Sequence, residues 1–450
     1  MIKSKSKVVI ISFIIVIVFS SIILPQNRDS LYNPELYPFI IDSIAITGNE
    51  KTEEFVILRE LNFSVGDTLS KVQSFFNRER VYSLGIFNHV YFIPTIVESK
   101  RILTIEVEES WYIYPIPFLD ARDGDLKKLT YGIFLRIMNF RGRNEDLTAN
   151  FGIGYDPSFS LGYYNPNTIK NENENIFFGA RVGYADISNR SVTAEKLYGK
   201  SFSQKYISAN LTLGKRFGLY NRFYLTTGYN YIETPIYIPG INASGGRIDN
   251  LVELGFGFEH DTRDLIQYPT DGIFSNFTYV QRGLGLDNIN YGIARIDFRE
   301  YREVFEKLIS KWRFTSRFTI GNGVPYYDYS RLDGREKIRG HYNEKYEGND
   351  YYFGSLEFYY PIIKELNVDL TFIPIIPDAL LSYRVGFYSQ IFAETGLAKL
   401  RHDPFAINKF NSGYGFGITL LILPYQVLRI EAAFNEQMKS ELIIDLGISF

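Results

Sequence analysis

From about residue 111 to the end of this 450-residue chain, apolar side chains recur at every second position and no helical period persists. Ile207, Ala209, Leu211 and Leu213 alternate with Tyr206, Ser208, Asn210 and Thr212. Val252, Leu254, Phe256 and Phe258 alternate with Glu253, Gly255, Gly257 and Glu259. Trp312, Phe314, Phe318 and Ile320 stand opposite Lys311, Arg313, Thr315, Arg317 and Thr319, and Leu428, Ile430, Ala432 and Phe434 opposite Arg429, Glu431 and Asn435. A period of two puts successive side chains on opposite faces of a strand, so each run has one greasy face and one charged face. A soluble sandwich would turn the charged face out to water. A membrane barrel would turn it into a wet lumen and give the greasy face to lipid.

Composition and the two ends of the chain favour the barrel. Tyr (35) and Phe (37) lift aromatics to 16%, while mean hydropathy stays slightly negative. Barrels with half-polar strands and aromatic girdles have this balance, and a bundle of membrane helices does not. The last ten residues place Leu442, Ile444, Leu446, Ile448 and Phe450 on one face and Asp445, Gly447 and Ser449 on the other. At the start, Lys3, Lys5 and Lys7 precede an apolar run from Val8 to Phe19, continued by Ile22–Leu24 and a polar exit at Gln26-Asn27. That pattern predicts an export signal over 1–26, a retained anchor being the other reading. With no cysteine, disulfides, thiolate metal sites and lipoprotein processing are excluded. A net charge of −3 gives no footing for nucleic acid.

About 16 strand-like runs fit between Ser110 and Phe450 at roughly 20 residues per strand and turn, and 14 also fit. Short connections alternate with long ones, the longest being Asn322–Asn349. Residues 361–382, with Pro374 and Pro377, fit no single strand. Ahead of the barrel, residues 38–110 read as strand, helix, helix, strand, strand. Phe39–Thr47 opens the domain, Thr52 is placed to cap a helix carrying Val56, Ile57 and Leu61, and a second helix runs from about Leu69 to Leu84 with Val72, Phe75, Phe76 and Val81 inward. His89–Val97 and Arg101–Glu108 close the domain.

Four stretches in that domain, Ile46–Thr52, Gly66-Asp67, Tyr82–Val90 and Ile105–Glu109, resemble a POTRA domain. Further on, Asp261-Thr262-Arg263-Asp264 followed by Pro269-Thr270-Asp271-Gly272 resembles the Asp-x-Arg-Asp…Pro-x-x-Gly signature of the BamA/TamA-like outer-membrane assembly and translocation barrels, the bacterial surface antigens. Ile338-Arg339-Gly340-His341 is similar to that family's Val-Arg-Gly-aromatic motif, with histidine where the family has an aromatic. It falls between the eleventh and twelfth predicted strands.

The resemblance implies a fold: an α+β POTRA domain (38–110) followed by an all-β transmembrane antiparallel barrel (111–450) in the outer membrane, with the POTRA domain in the periplasm. It also implies a site. The long loop folds into the lumen, and Arg339 pairs with the acidic residue of a Phe-x-Asp-x-Gly stretch on the following strand. Here that stretch is Phe392-Ala393-Glu394-Thr395-Gly396, so Glu394 is the expected partner. The glycines of Gly413-Tyr414-Gly415-Phe416-Gly417 are expected on the lumen face, leaving room for the loop. The terminal strand ending at Phe450 resembles the C-terminal signal that assembly machinery reads.

The implied partners are the lipid bilayer and unfolded outer-membrane or secreted polypeptides, added at the POTRA sheet edge. No catalytic residue, cofactor or metal site is expected: the sequence has no Gly-x-Ser-x-Gly elbow, no phosphate loop and no His-Glu-x-x-His. The expected function is assistance in inserting or assembling outer-membrane proteins. A polypeptide secretion pore and a structural surface-antigen barrel are the alternatives. The pore class typically has two POTRA domains and a plug helix, for which residues 27–37 are too few.

Overall fold

In a computed structural model of the chain, the described residues are 36–122, 125–168, 175–237, 239–321, 323–342 and 344–447. The predicted export signal (1–26) and Ile448 and Phe450 of the predicted terminal strand lie outside them.

The N-terminal domain contains β1 (Phe39–Ile40), β2 (Ser43–Thr47), a short helix Glu54–Leu58, β3 (Thr68–Leu69), a longer helix Lys71–Tyr82, β4 (Phe87–Val97) and β5 (Lys100–Glu109). The central strand β5 runs parallel to β2 and antiparallel to β4. Alternation in β5 sends Leu103, Ile105 and Val107 inward, where they pack with Val56, Ile57 and Val81 of the helices. β1 pairs with β3 as a separate ribbon, so the predicted strand from Phe39 is two pieces and Leu69 precedes the helix.

Two helix expectations are corrected. Thr52 does not cap the first helix: its hydroxyl donates to Glu109 (2.6 Å) and accepts from Asn139 of the sheet below (2.8 Å). Val72 points outward, 79% exposed, while the polar Asn77, Glu79 and Arg80 are buried. The long helix is wedged between its own sheet and the barrel, so a charged stripe becomes an inner face.

The remainder is one 16-stranded antiparallel sheet. Its strands are β6 (Ile113–Ala121), β7 (Leu129–Phe140), β8 (Glu145–Gly154), β9 (Ser158–Asn165), β10 (Ile176–Ser188), β11 (Ser203–Phe217), β12 (Asn221–Glu233), β13 (Ile248–Asp261), β14 (Gly272–Arg282), β15 (Tyr291–Phe305) and β16 (Leu308–Ile320). A long connection then carries the two-residue ribbon β17 (Ser330–Arg331) and β18 (Glu347–Gly348). The sheet resumes with β19 (Asp350–Asp369), β20 (Ser382–Lys399), β21 (Asn411–Leu423), β22 (Gln426–Asn435) and β23 (Ser440–Leu446). Each strand pairs with its sequence neighbour, and β16 meets β19 across the connection, which therefore lies between the eleventh and twelfth strands.

The greasy faces point out: Trp312, Phe314 and Ile320, and Leu442, Ile444 and Leu446 of the last strand, are exposed, whereas Arg313, Thr315, Arg429 and Glu431 are buried on the inner face. The sheet curls back on itself. The Tyr114 ring of β6 lies 6.0 Å from that of Tyr425 in the β21–β22 turn. Among the described residues, no ladder pair joins the first strand β6 to the last strand β23. The unassigned stretch 361–382 resolves into two parts. β19 continues through bulges at Pro361/Ile363 and Ile363/Leu366, and a turn follows, closed by the Leu370 amide on the Leu381 carbonyl (2.8 Å).

Candidate functional site: a latch loop in the barrel lumen

The charged inner faces need partners, because an unpaired charge out of water is costly. The connection from 321 to 349 supplies several. It turns back into the barrel, and Ile338 anchors it in an apolar cluster with Leu332, Tyr351 and Phe353.

Arg339 then reaches three carboxylates on three strands. From β20, Glu394 Oε1 accepts from Nε (2.9 Å) and Nη2 (2.6 Å), while Oε2 accepts from the Arg339 backbone amide (2.9 Å). Glu357 of β19 accepts from Nη2 (3.0 Å), and Glu431 of β22 from Nη1 (2.6 Å). The guanidinium lies over the Phe392 ring, 3.5 Å from its centroid. A planar, rigid fork of donors suits such convergent recognition; a lysine ammonium does not. Lys311 and Arg429, each 3.7 Å from Glu357, bring the cluster to three cations and three anions.

Two glycines make room. Gly340 has φ 100°, and a Cβ there would sit 2.7 Å from the Phe434 carbonyl oxygen. A Cβ on Gly413 would sit 1.6 Å from the Arg339 carbonyl oxygen, so the lumen-facing glycine leaves the space the loop fills.

The structure thus brings Ile338, Arg339, Gly340, His341 and Glu394 together. Glu394 lies one strand further on than expected: the strand following the loop is β19, which contributes Glu357 instead. His341 packs edge-to-face on the Tyr346 ring, 5.8 Å between centroids, and adds polar contacts that a purely apolar ring could not make, with Nε2 2.8 Å from Glu436 and Nδ1 2.9 Å from the Tyr346 hydroxyl. Sequence reasoning missed Glu357 and did not foresee that Glu431 and Phe392, both named in it, would meet Arg339. It also missed two further ties of the loop: Glu336 to Arg295 (2.8 Å) and Arg313 (2.7 Å), and Asp328 to Arg282 (3.1 Å). The period-two pattern marks Glu357 and Glu431 as inward, but nothing in it says which charge meets them.

The Asp261–Gly272 signature lies at the opposite end of the barrel. Asp261 accepts from Arg263 Nε and Nη2, both at 2.8 Å, and the Arg263 guanidinium lies over the Phe274 ring at 4.5 Å. Asp264 accepts from the amide (2.8 Å) and hydroxyl (2.5 Å) of Thr270, the Pro269 carbonyl accepts from the Tyr359 hydroxyl, and Gly272 opens β14. This closed turn is a docking platform. Its Ile266 amide donates to Ser83 Oγ of the N-terminal domain (3.0 Å), and Leu265 and Tyr268 join that domain's core cluster. Buried ion pairs reinforce the contact. Arg216 of β11 grips Glu60 with two bonds (2.7 and 2.8 Å), and Arg384 of β20 pairs with Glu79 (2.7 Å). Burial alone would raise the Glu60 pKa, but Arg216, its hydrogen bonds and Arg80 outweigh burial and hold it well below the usual carboxylate range.

A 16-strand sheet with lipid-compatible outer faces, an α+β module docked at one end and a loop latched in the lumen defines the class of membrane barrels that carry an N-terminal α+β module. Residues 139–434 match the Omp85 superfamily domain, and residues 39–110 match the POTRA domain described as a surface antigen variable number repeat. The chain belongs to the Omp85 superfamily, a family of outer-membrane proteins.

It is 25% identical over 320 residues to the outer membrane protein assembly factor BamA of Nitratidesulfovibrio vulgaris, a match spanning 68% of this chain and 38% of that protein. The chain therefore covers well under half the length of that relative. Its fold is similar to that of Haemophilus ducreyi BamA lacking POTRA domains 1–3 (TM-score 0.53, 17% identity, 91% of this chain and 84% of that one). It is equally similar to Escherichia coli CdiB (TM-score 0.53, 10% identity, 91% and 76%).

Proposed function

We propose that the chain assists the insertion or assembly of proteins into the outer membrane, with its POTRA domain in the periplasm and the latch loop entering the barrel from the outer side. In this reading residues 1–26 direct export, and the chain makes and breaks no covalent bond. Incoming polypeptide adds to an outer edge of the POTRA sheet, β2 or β4, and then to the unpaired edge of β6 or β23. An exposed strand edge offers a row of amides and carbonyls that templates a new strand; a fully paired barrel offers none.

The observation that carries the reading is the contrast between the lumen and the seam. A loop held on β19, β20 and β22 lies across the lumen, while the first and last strands share no described ladder pair. An assembly factor uses the side of the barrel; a pore uses the axis.

The test is reconstitution of the mature chain in liposomes, followed by the folding of a small unfolded outer-membrane barrel added from denaturant. Folding is expected to be markedly faster than in empty liposomes. No acceleration, together with release of an exported polypeptide through the same liposomes, would overturn the reading in favour of a secretion pore.

A further inference from the structure

The latch does more than fill the lumen: beyond Arg339 the loop runs onto the last hairpin. The Tyr342 amide donates to both carboxylate oxygens of Glu441 on β23 (3.1 and 2.9 Å). His341 Nε2 faces Glu436, in the β22–β23 turn, at 2.8 Å. A cavity of about 430 Å³ runs beneath, from Arg339 and Glu394 to Ile443 and Asp445 of β23. The far end of the seam strand is thus held by the loop, and among the described residues no ladder pair ties it to β6.

The surroundings of His341 favour the charged form of the imidazole. Nε2 faces the Glu436 carboxylate and, at 3.2 Å, the Ser412 carbonyl of β21; neither can donate. Nδ1 faces the Glu344 carboxylate at 3.1 Å and the Tyr346 oxygen at 2.9 Å, and the Tyr346 hydroxyl hydrogen is already given to Glu344. Both ring nitrogens therefore meet acceptors. A neutral imidazole has one N–H and would leave one nitrogen lone pair against a carboxylate, whereas an imidazolium satisfies both sides. Lys439 on the hairpin acts on Glu344, and Arg429, Glu431 and Asp445 are the hairpin's other charged groups; Lys337 lies over the Tyr342 ring and near Glu441.

We propose that His341, Glu436 and Glu441 are positioning residues that clamp the last hairpin to the latch, and that the clamp is at full strength only while His341 is an imidazolium. The proposal rests on the assembly reading in one respect, that the seam has to open. Burial works against the charged ring, but the hydrogen bonds to Glu436 and Glu344 raise its pKa above the ordinary value of 6.5. A raised value gives the sign: the contribution of the charged ring to the clamp is complete below the ordinary imidazole range and is lost as pH rises through the raised value. An aromatic ring at this position could not respond in this way.

The chain has no cysteine, so a pair introduced by Leu119→Cys on β6 and Leu442→Cys on β23 can be spin-labelled uniquely. Both positions are exposed on the outer face near the latch end of the seam. Distance distributions are measured in liposomes without any client protein, from about pH 5.5 to about pH 9, either side of the imidazole range. A single short distance is expected at low pH. A longer population is expected to grow as pH rises, by up to about tenfold per pH unit through the titration. Glu436→Gln should move that transition to lower pH, and His341→Phe should abolish it. A distribution that does not change with pH, or a transition that survives in His341→Phe, would overturn the clamp. Because no client is present, either result leaves the folding assay to judge the assembly reading separately.

Discussion

The two ends of the barrel are closed by buried ion pairs of different construction. At the latch end, one arginine on a loop contacts carboxylates from three strands. At the POTRA end, ion pairs such as Glu60–Arg216 and Glu79–Arg384 join the N-terminal domain to the sheet, side by side with an apolar core that both share. The latch is therefore a single point on which several charges depend. The docking is distributed, and each pair can fail alone. In both places, removing one partner is the expensive change, because it strands a buried charge.

That contrast orders the expected effects. Arg339→Ala leaves three carboxylates, Glu357, Glu394 and Glu431, beside two cations, Lys311 and Arg429. Loop docking should weaken by about 5 kcal/mol, seen as protease cleavage and rapid hydrogen exchange within 321–349 while the sheet remains folded. A latch still protected in that variant would show that Glu336 and Asp328 hold it unaided.

Glu60→Ala strands Arg216 and Arg80 but leaves Glu79–Arg384 and the apolar contact. About 3 kcal/mol is expected, read as cleavage between the POTRA domain and β6. The same pair fixes a pH sign. The Glu60 pKa is depressed on folding, so its contribution is complete above the ordinary carboxylate range and is lost only as pH falls below that range, toward the depressed value. Docking should survive mild acid.

Arg339→Lys keeps the charge but not the fork, and should cost about 2 kcal/mol in loop protection. Glu394→Asp introduces the residue that the resembling Phe-x-Asp-x-Gly motif carries. The shorter side chain has to reach both the guanidinium and the Arg339 amide, so a loss of about 1 kcal/mol is expected in the same exchange measurement. A gain would mean that the two acceptors flanking Glu394 already set the geometry.

Much of this was legible in the sequence, for physical reasons. Period-two alternation is a local property, so the strands and their inward residues could be read directly, and the position of Arg339 between the eleventh and twelfth strands followed from counting them. Glu394 was legible because its short motif resembles a known one. Glu357 and Glu431 were not, since a charge on an inner face meets whatever the curvature of the sheet brings to it. The docking surface was hidden for a related reason. Glu60 and Arg216 are far apart in sequence, and Glu79 sits on a helix whose polar stripe reads as solvent-facing until a second surface covers it. The Val72 error is the same effect: the helix chose its inward face by what lay on both sides, not by hydrophobicity alone.

The most direct test of the account compares three proteins in the liposome folding assay: the wild-type chain, Arg339→Ala and Glu60→Ala. If the latch is what makes the seam competent, Arg339→Ala should lose most of the acceleration of client folding while its barrel still assembles. Glu60→Ala should keep a larger share. Full acceleration by Arg339→Ala would contradict the latch's role and leave Arg339 as a fastener of the loop alone.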